Sequence, residues 1–173
     1  MANEKTKPVM NLADVPMRTV GNGKGFVAQA GSFGRLIGSP GIGVMYYEVA
    51  PGKKAFPFHA HHQTHELFVI LEGEGTYRFG PDSYPIKAHD VLAAPTGGAE
   101  AAHQIVNTGS TTLKYLGISA NPGSSDVVEY PDSGKFAVSS RFDWASMSGG
   151  VRYIGRKETS LDYWDGEDTG ESN

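Results

Sequence analysis

GKKAFPFHAHHQTHELFVILEGEG, residues 52–75, is the stretch on which the reading of this chain turns. Four histidines, His59, His61, His62 and His65, fall within seven residues and are followed at once by Glu66. Elsewhere the chain holds only His89 and His103. Alternate residues of a strand project to one face, so His59 and His61 can present two imidazoles side by side. A turn or bulge through His62 to Thr64 would then bring Glu66 round on the returning strand. Two imidazoles and a carboxylate with open positions suit a divalent transition metal such as iron, manganese, nickel or zinc. His103 is the candidate for a fourth ligand. His62 points away from its neighbours in a regular strand and reads as a surface residue.

Outward from this stretch the pattern is one of short strands and frequent turns. Upstream, Pro51-Gly52 is a turn, and GVMYYEV, residues 43–49, is rich in β-formers. Phe26 to Ala30 and Phe33 to Ile37 read as further short strands. GNGKG, residues 21–25, has glycines spaced as in a nucleotide loop but lacks the GK[ST] ending, and reads as a turn. Downstream, EGEG is expected to make a hairpin turn into a strand at Thr76 to Phe79. Tyr84 to Lys87, Val91 to Ala94, His103 to Asn107 and Leu113 to Ser119 follow as strands. Beyond Asn121, DVVEY and KFAVSS suggest two strands about a turn at Pro131 to Gly134. Arg141 to Met147 reads as one helical turn, and VRYIGRK as a last strand. No strand–helix alternation of a parallel α/β fold is visible, so the expectation is an all-β sandwich or barrel.

Composition agrees and excludes several classes of function. The chain has 173 residues, enough for one domain with a proper core, and 23 of them are glycine, nearly double the usual share. It contains no cysteine, which rules out disulfides and thiolate metal sites. The net charge is −4, and five acids lie in the last twelve residues, so the remainder carries 14 acidic against 15 basic residues. Such a body shows no basic stripe for nucleic acid. The acidic end reads as a solvated tail, although the adjacent Tyr163 and Trp164 suggest that it first packs back. MANEKTKPVM lacks the apolar core of a signal peptide, and no apolar run approaches a membrane span. The expectation is a soluble cytoplasmic protein that acts on a small molecule, with neither nucleic acid nor membrane as partner. The G-x-S-x-G elbow of serine hydrolases is also missing.

The 52–75 stretch resembles the first motif of the cupin superfamily, with Gly52, His59, His61, Glu66 and Gly73 in its places. Its first spacer is one residue longer than the family's usual five. HDVLAAPTGGAEAAHQIVN, residues 89–107, resembles the second motif through Pro95, Gly97, His103 and Asn107. There His89 stands where the family has glycine, and the gap from Gly97 to His103 is longer than usual. The resemblance implies a single cupin-type double-stranded β-helix, a jelly-roll barrel with N- and C-terminal extensions. Its parts would be an arm over residues 1–40, a barrel core over 41–120, and an extension with an acidic tail over 121–173. It also implies a homodimer strapped together by such arms.

For chemistry, the resemblance implies one divalent metal held by His59, His61, Glu66 and His103. His65 is an alternative to Glu66, because the motif allows three or four residues before its acid. The wording of the chain is similar to small prokaryotic cupins described as sugar phosphate isomerases. That implies a metal-dependent isomerase working through an enediolate, with Glu66 or His65 as base. Tyr47, Tyr77 and Arg78 are candidate substrate contacts, with Tyr46 and Tyr115 as further cavity-lining candidates. A phosphate would need Arg35, Lys53, Lys54 or Arg78 in the cavity. An iron-dependent dioxygenase, favoured by an apolar cavity, and a non-catalytic binding or sensing module are the alternatives. Asn107 is expected to brace the barrel, and His89 to serve a turn.

Overall fold

The computed structural model describes residues 6–120, 125–141, 148–168 and 170. These form three antiparallel sheets. The first, six-stranded, is built from β1 (Arg18–Gly21), β2 (Val27–Ser32), β3 (Ile42–Val49), β10 (Leu113–Ala120), β5 (Glu66–Glu72) and β8 (Val91–Ala94), in that spatial order. The second contains β7 (Asp82–Lys87), β6 (Glu74–Phe79) and β9 (His103–Val106). The third runs β13 (Val151–Gly155), β12 (Lys135–Ser140), β11 (Ser125–Tyr130) and β4 (Ala60–His61). This is the jelly-roll barrel that the motifs imply. Helix is limited to short 3-10 turns among the described residues, and no helix there is long and apolar enough to cross a membrane.

Strand alternation decides what faces inward. On β5, Phe68 and Ile70 are buried while Leu67 is exposed, so Glu66 begins the strand on the inward face. On β10, Leu113 and Tyr115 are buried and pair with Val49 and Tyr47 of β3. Tyr77, Ile86 and Ile105 of the three-stranded sheet pack against these residues to close one core. Burial of such apolar surface, at about 25 cal/mol per Å², is the main term that holds the sheets face to face.

Buried Asn107 ties the end of this core together. Its Nδ2 donates to the carbonyls of Val49 and Thr111 at 2.7 and 2.8 Å, and its Oδ1 accepts from Gly109 N at 3.0 Å. The expected bracing role is what the structure shows. His89, where the family motif has glycine, takes φ +77°, the left-handed region in which glycine is at ease. Histidine is among the residues that tolerate this region better than most.

Five expectations need correction or comment. EGEG does not make a hairpin, because β5 and β6 lie in different sheets and the chain crosses between them at Gly73. Gly73 has φ +81°, and a Cβ there would sit 2.8 Å from Thr112 O, so no side chain fits the crossing. Phe33 to Ile37 is not a strand: Arg35–Ile37 is a 3-10 turn stopped by left-handed Gly38. Tyr163 and Trp164 do not pack back; both are exposed and meet only edge to face at 4.7 Å. The helical turn expected from Arg141 to Met147 falls, over 142–147, outside the described residues. GNGKG is the turn it reads as, with Asn22 Oδ1 accepting from Lys24 N at 3.0 Å.

Candidate metal centre

Backbone pairing brings the first two ligand candidates together. His59 and His103 form an antiparallel bridge, with N–H···O bonds of 3.1 and 2.7 Å in the two directions. Partners across an antiparallel pair share a face, and the two rings lie with centroids 4.6 Å apart. His61, two residues along, sits on the same face as His59 with centroids 5.1 Å apart. Residues 62–64 then turn, and Glu66 returns on β5. Ligand atoms of His59, His61 and Glu66 all lie within 4.8 Å of one another.

The hydrogen bonds around the rings select which nitrogen faces inward. His59 Nδ1 is 2.8 Å from Pro57 O, His61 Nδ1 is 2.6 Å from Asp126 Oδ2, and His103 Nδ1 is 3.3 Å from Ala101 O. For His59 and His61, a carbonyl or carboxylate partner places the proton on Nδ1 and leaves Nε2 as the lone-pair donor, whereas His103 faces Ala101 O through Nδ1 and the Glu66 carboxylate through Nε2. The Nε2 atoms of His103 and His61 stand 3.1 and 3.5 Å from Glu66 Oε2. His59, His61 and Glu66 form a donor set that fits one divalent transition metal, with His103 Nε2 against the same carboxylate.

Electrostatics keep the set ready to bind a cation. Burial, reinforced by the neighbouring His103 and His61, lowers the His59 pKa to about 4, so its ring is neutral near pH 7. At His61 burial also works against charge, but the Asp126 hydrogen bond and the charges of Glu66 and Asp126 outweigh it and hold the pKa above the ordinary value. Burial pushes the Glu66 carboxyl up, yet the His103 hydrogen bond and the nearby imidazoles bring it below the usual range. Glu66 is therefore ionised at neutral pH.

The surroundings are aromatic. Phe68 and Tyr77 lie 5.7 and 6.5 Å from the His103 ring, and Phe56 and Tyr130 lie 6.4 and 6.2 Å from His59. Tyr47 is buried against Phe56 and Tyr115. Burial and then the charge of Glu66 raise the pKa values of Tyr47 and Tyr77, so both remain protonated. Their hydroxyls donate to Met45 Sδ and Ala93 O respectively. Tyr46 is on the opposite face of β3 from Tyr47 and donates to Glu48.

Other sequence candidates stand apart from the cluster. Arg78 pairs with Gln104 on the face opposite His103. There its guanidinium makes two bonds to Asp132, at 2.8 and 3.0 Å, and one to Gln104 Oε1, above the Phe58 ring. Lys53 donates to Lys24 O, and Lys54 lies over Phe26. Arg35 is exposed on its 3-10 turn. His65 is exposed and outside the ligand group. His62 is exposed and contacts Glu129 at 3.2 Å. Two surface clefts, of about 260 and 620 Å³, lie on the C-terminal sheet and contain none of the histidines. Tyr130, which lines the smaller one, also stacks on His59.

Asp126 is the site residue that sequence reasoning missed. It lies 65 positions from His61 in an extension that no motif covers, and one Asp before two valines carries no local signal. Only the pairing of β11 with β4 brings it to the ring.

Comparison with known proteins agrees with this geometry. Residues 45–119 match the model of the cupin domain family. Auxin-binding protein 1 of Arabidopsis thaliana is 32% identical over 124 residues, 66% of this chain and 59% of that protein. The oxalate-binding protein of Thermotoga maritima is 35% identical over 68 residues, 39% of this chain and 54% of that protein. The chain thus spans less than two thirds of the length of either relative. A crystal structure from Acidithiobacillus ferrooxidans, of a protein provisionally named a sugar phosphate isomerase, superposes with a TM-score of 0.75 at 25% identity. That likeness covers 90% of this chain and 96% of the other. With the jelly-roll barrel and the His-x-His···Glu cluster in place, residues 45–119 of this chain are a cupin domain.

Proposed function

We propose that the chain holds one divalent transition metal through His59, His61, Glu66 and His103 and isomerises a sugar or sugar phosphate. The observation that carries this is the convergence of imidazole Nε2 atoms on Glu66 Oε2 while every Nδ1 is tied back to the protein. A metal bound there supplies Lewis acidity toward adjacent hydroxyl and carbonyl oxygens. Isomerisation through an enediolate moves a proton between neighbouring carbons, which requires a base at the same site. Glu66, ionised and within the cluster, serves as that base as well as a ligand, and His65 is exposed. Tyr47 and Tyr77 form the wall beside Glu66, where their rings exclude water.

The similarity to the Acidithiobacillus ferrooxidans structure over nearly the whole of both chains supports a sugar-type substrate. Arg78, Lys53 and Lys54 are engaged elsewhere, and Arg35 is exposed. The aromatic wall favours a second reading, an iron-dependent dioxygenase that uses the same ligands. The names of the two curated relatives favour a binding module.

Elemental analysis of protein purified without added metal, beside a His59→Ala variant, tests the common premise. One equivalent in the first and none in the second is the expected result, and a metal-free parent chain would refute the centre. Turnover of aldose–ketose pairs without oxygen then supports the isomerase. Oxygen-dependent turnover supports the dioxygenase, and saturable capture without turnover the binding module.

A further inference from the structure

The carboxylate of Asp126 uses both of its oxygens on the metal-site segment. Oδ2 is 2.6 Å from His61 Nδ1, and Oδ1 accepts from Gln63 N at 3.0 Å. Thr64 adds a side-chain hydrogen bond to the same carboxylate. We propose that Asp126 is the positioning residue of this site, fixing His61 with its proton on Nδ1 so that Nε2 is held toward the metal position. This rests on the metal reading above and extends it to a residue outside both cupin motifs.

Three features separate this role from a merely structural one. The hairpin that carries Asp126 is docked by its backbone independently of the side chain: Val128 pairs with His61, Glu129 pairs with Ala60, and His62 N donates to Val127 O at 2.9 Å. Loss of the carboxylate therefore frees the His61 ring without undocking β11. The anchors of the other two rings are backbone carbonyls, which are neutral and which no side-chain substitution removes. Of the three Nδ1 anchors only that of His61 is a carboxylate, and a carboxylate on the far nitrogen of an imidazole both fixes the tautomer and makes the ligand nitrogen more basic. The C-terminal extension is thus a contributor to the site, through one side chain.

The test uses the full chain. Long-range proton–nitrogen correlation spectra of the metal-free protein, labelled at histidine, report which His61 nitrogen carries the proton. Zn²⁺ affinity, from competition with a chromophoric chelator, reports the consequence. The parent chain should show His61 as the Nδ1–H form, and Asp126→Ala should lose that preference. Asp126→Ala should also bind Zn²⁺ about 10–100-fold more weakly, with Asp126→Asn between the two. Asp132→Asn, at the tip of the same hairpin, breaks the Arg78 pair and should leave affinity within about twofold of the parent, as expected when no support to a ligand is lost. Should Asp126→Ala fail to fold, Asp126→Asn carries the comparison. An Nε2–H ring in the parent chain overturns the proposal, as does unchanged affinity in the folded Asp126 variants. So does an equal loss in Asp132→Asn. A parent chain that takes up no Zn²⁺ refutes the metal centre instead, and the ring tautomer still decides the positioning of His61.

Discussion

Asn107→Ala isolates the difference between a motif residue that braces the barrel and one that serves the site. The side chain is fully buried at 0% exposure and makes three hydrogen bonds, two donated to Val49 O and Thr111 O and one accepted from Gly109 N. Each such bond contributes about 1 kcal/mol net, and each group left buried without a partner costs about as much or more. The expected loss is therefore about 3 kcal/mol. For a domain of this size that corresponds to a fall in melting temperature of about 6–12 °C. Thermal and urea unfolding of metal-free protein measure it, with metal kept out so that binding does not add to the apparent stability. Asn107→Asp should recover little, because it keeps the acceptor toward Gly109 but loses both donors. Metal stoichiometry of the folded variant should stay at that of the parent chain, since Asn107 points to Val49 and Thr111 and not to the histidines. A loss below about 1 kcal/mol, the worth of a single bond, would refute this accounting. So would a variant that keeps its stability and loses its metal.

Further outcomes follow from the same structure. Gly73→Ala should destabilise by at least about 1–2 kcal/mol, from the left-handed backbone alone, and the approach to Thr112 O adds to it; urea unfolding checks this. His89→Gly should raise stability, by up to about 1 kcal/mol, because glycine relieves the +77° backbone while giving back part of the gain as chain entropy. The Asp132–Arg78 hydrogen bond holds the Asp132 carboxyl below its usual value, so its contribution is present above the unfolded value of about 3.9 and fades as pH falls through the folded one. Because Asp132 is largely exposed, Asp132→Asn should cost less than about 1 kcal/mol at pH 7, and the difference from the parent should vanish under acid, as a pH series of melts would show. Metal affinity should fall as pH drops through the raised pKa of His61, since the ion must displace a proton there and none at neutral His59; chelator competition at several pH values measures it.

What the residues alone determined was the local chemistry. The spacing of His59, His61 and Glu66 follows from strand alternation and one turn, so the ligand cluster and the strands that carry it could be read along the chain. His62 as a surface residue was legible for the same reason, and Asn107 as a brace came from its place in the second motif. Tertiary structure decided whatever depended on which strands pair. Whether EGEG turns back on its own strand or crosses to another sheet depends on the room beside Thr112, which lies almost forty residues away. Arg78 reads as a cavity residue until its pairing with Gln104 sets it on the face opposite His103, where Asp132 takes its charge. Asp126 reaches His61 only because β11 lies beside β4. A strand pattern specifies the two faces of each strand, but contacts between distant segments are set by sheet order, which no local spacing encodes.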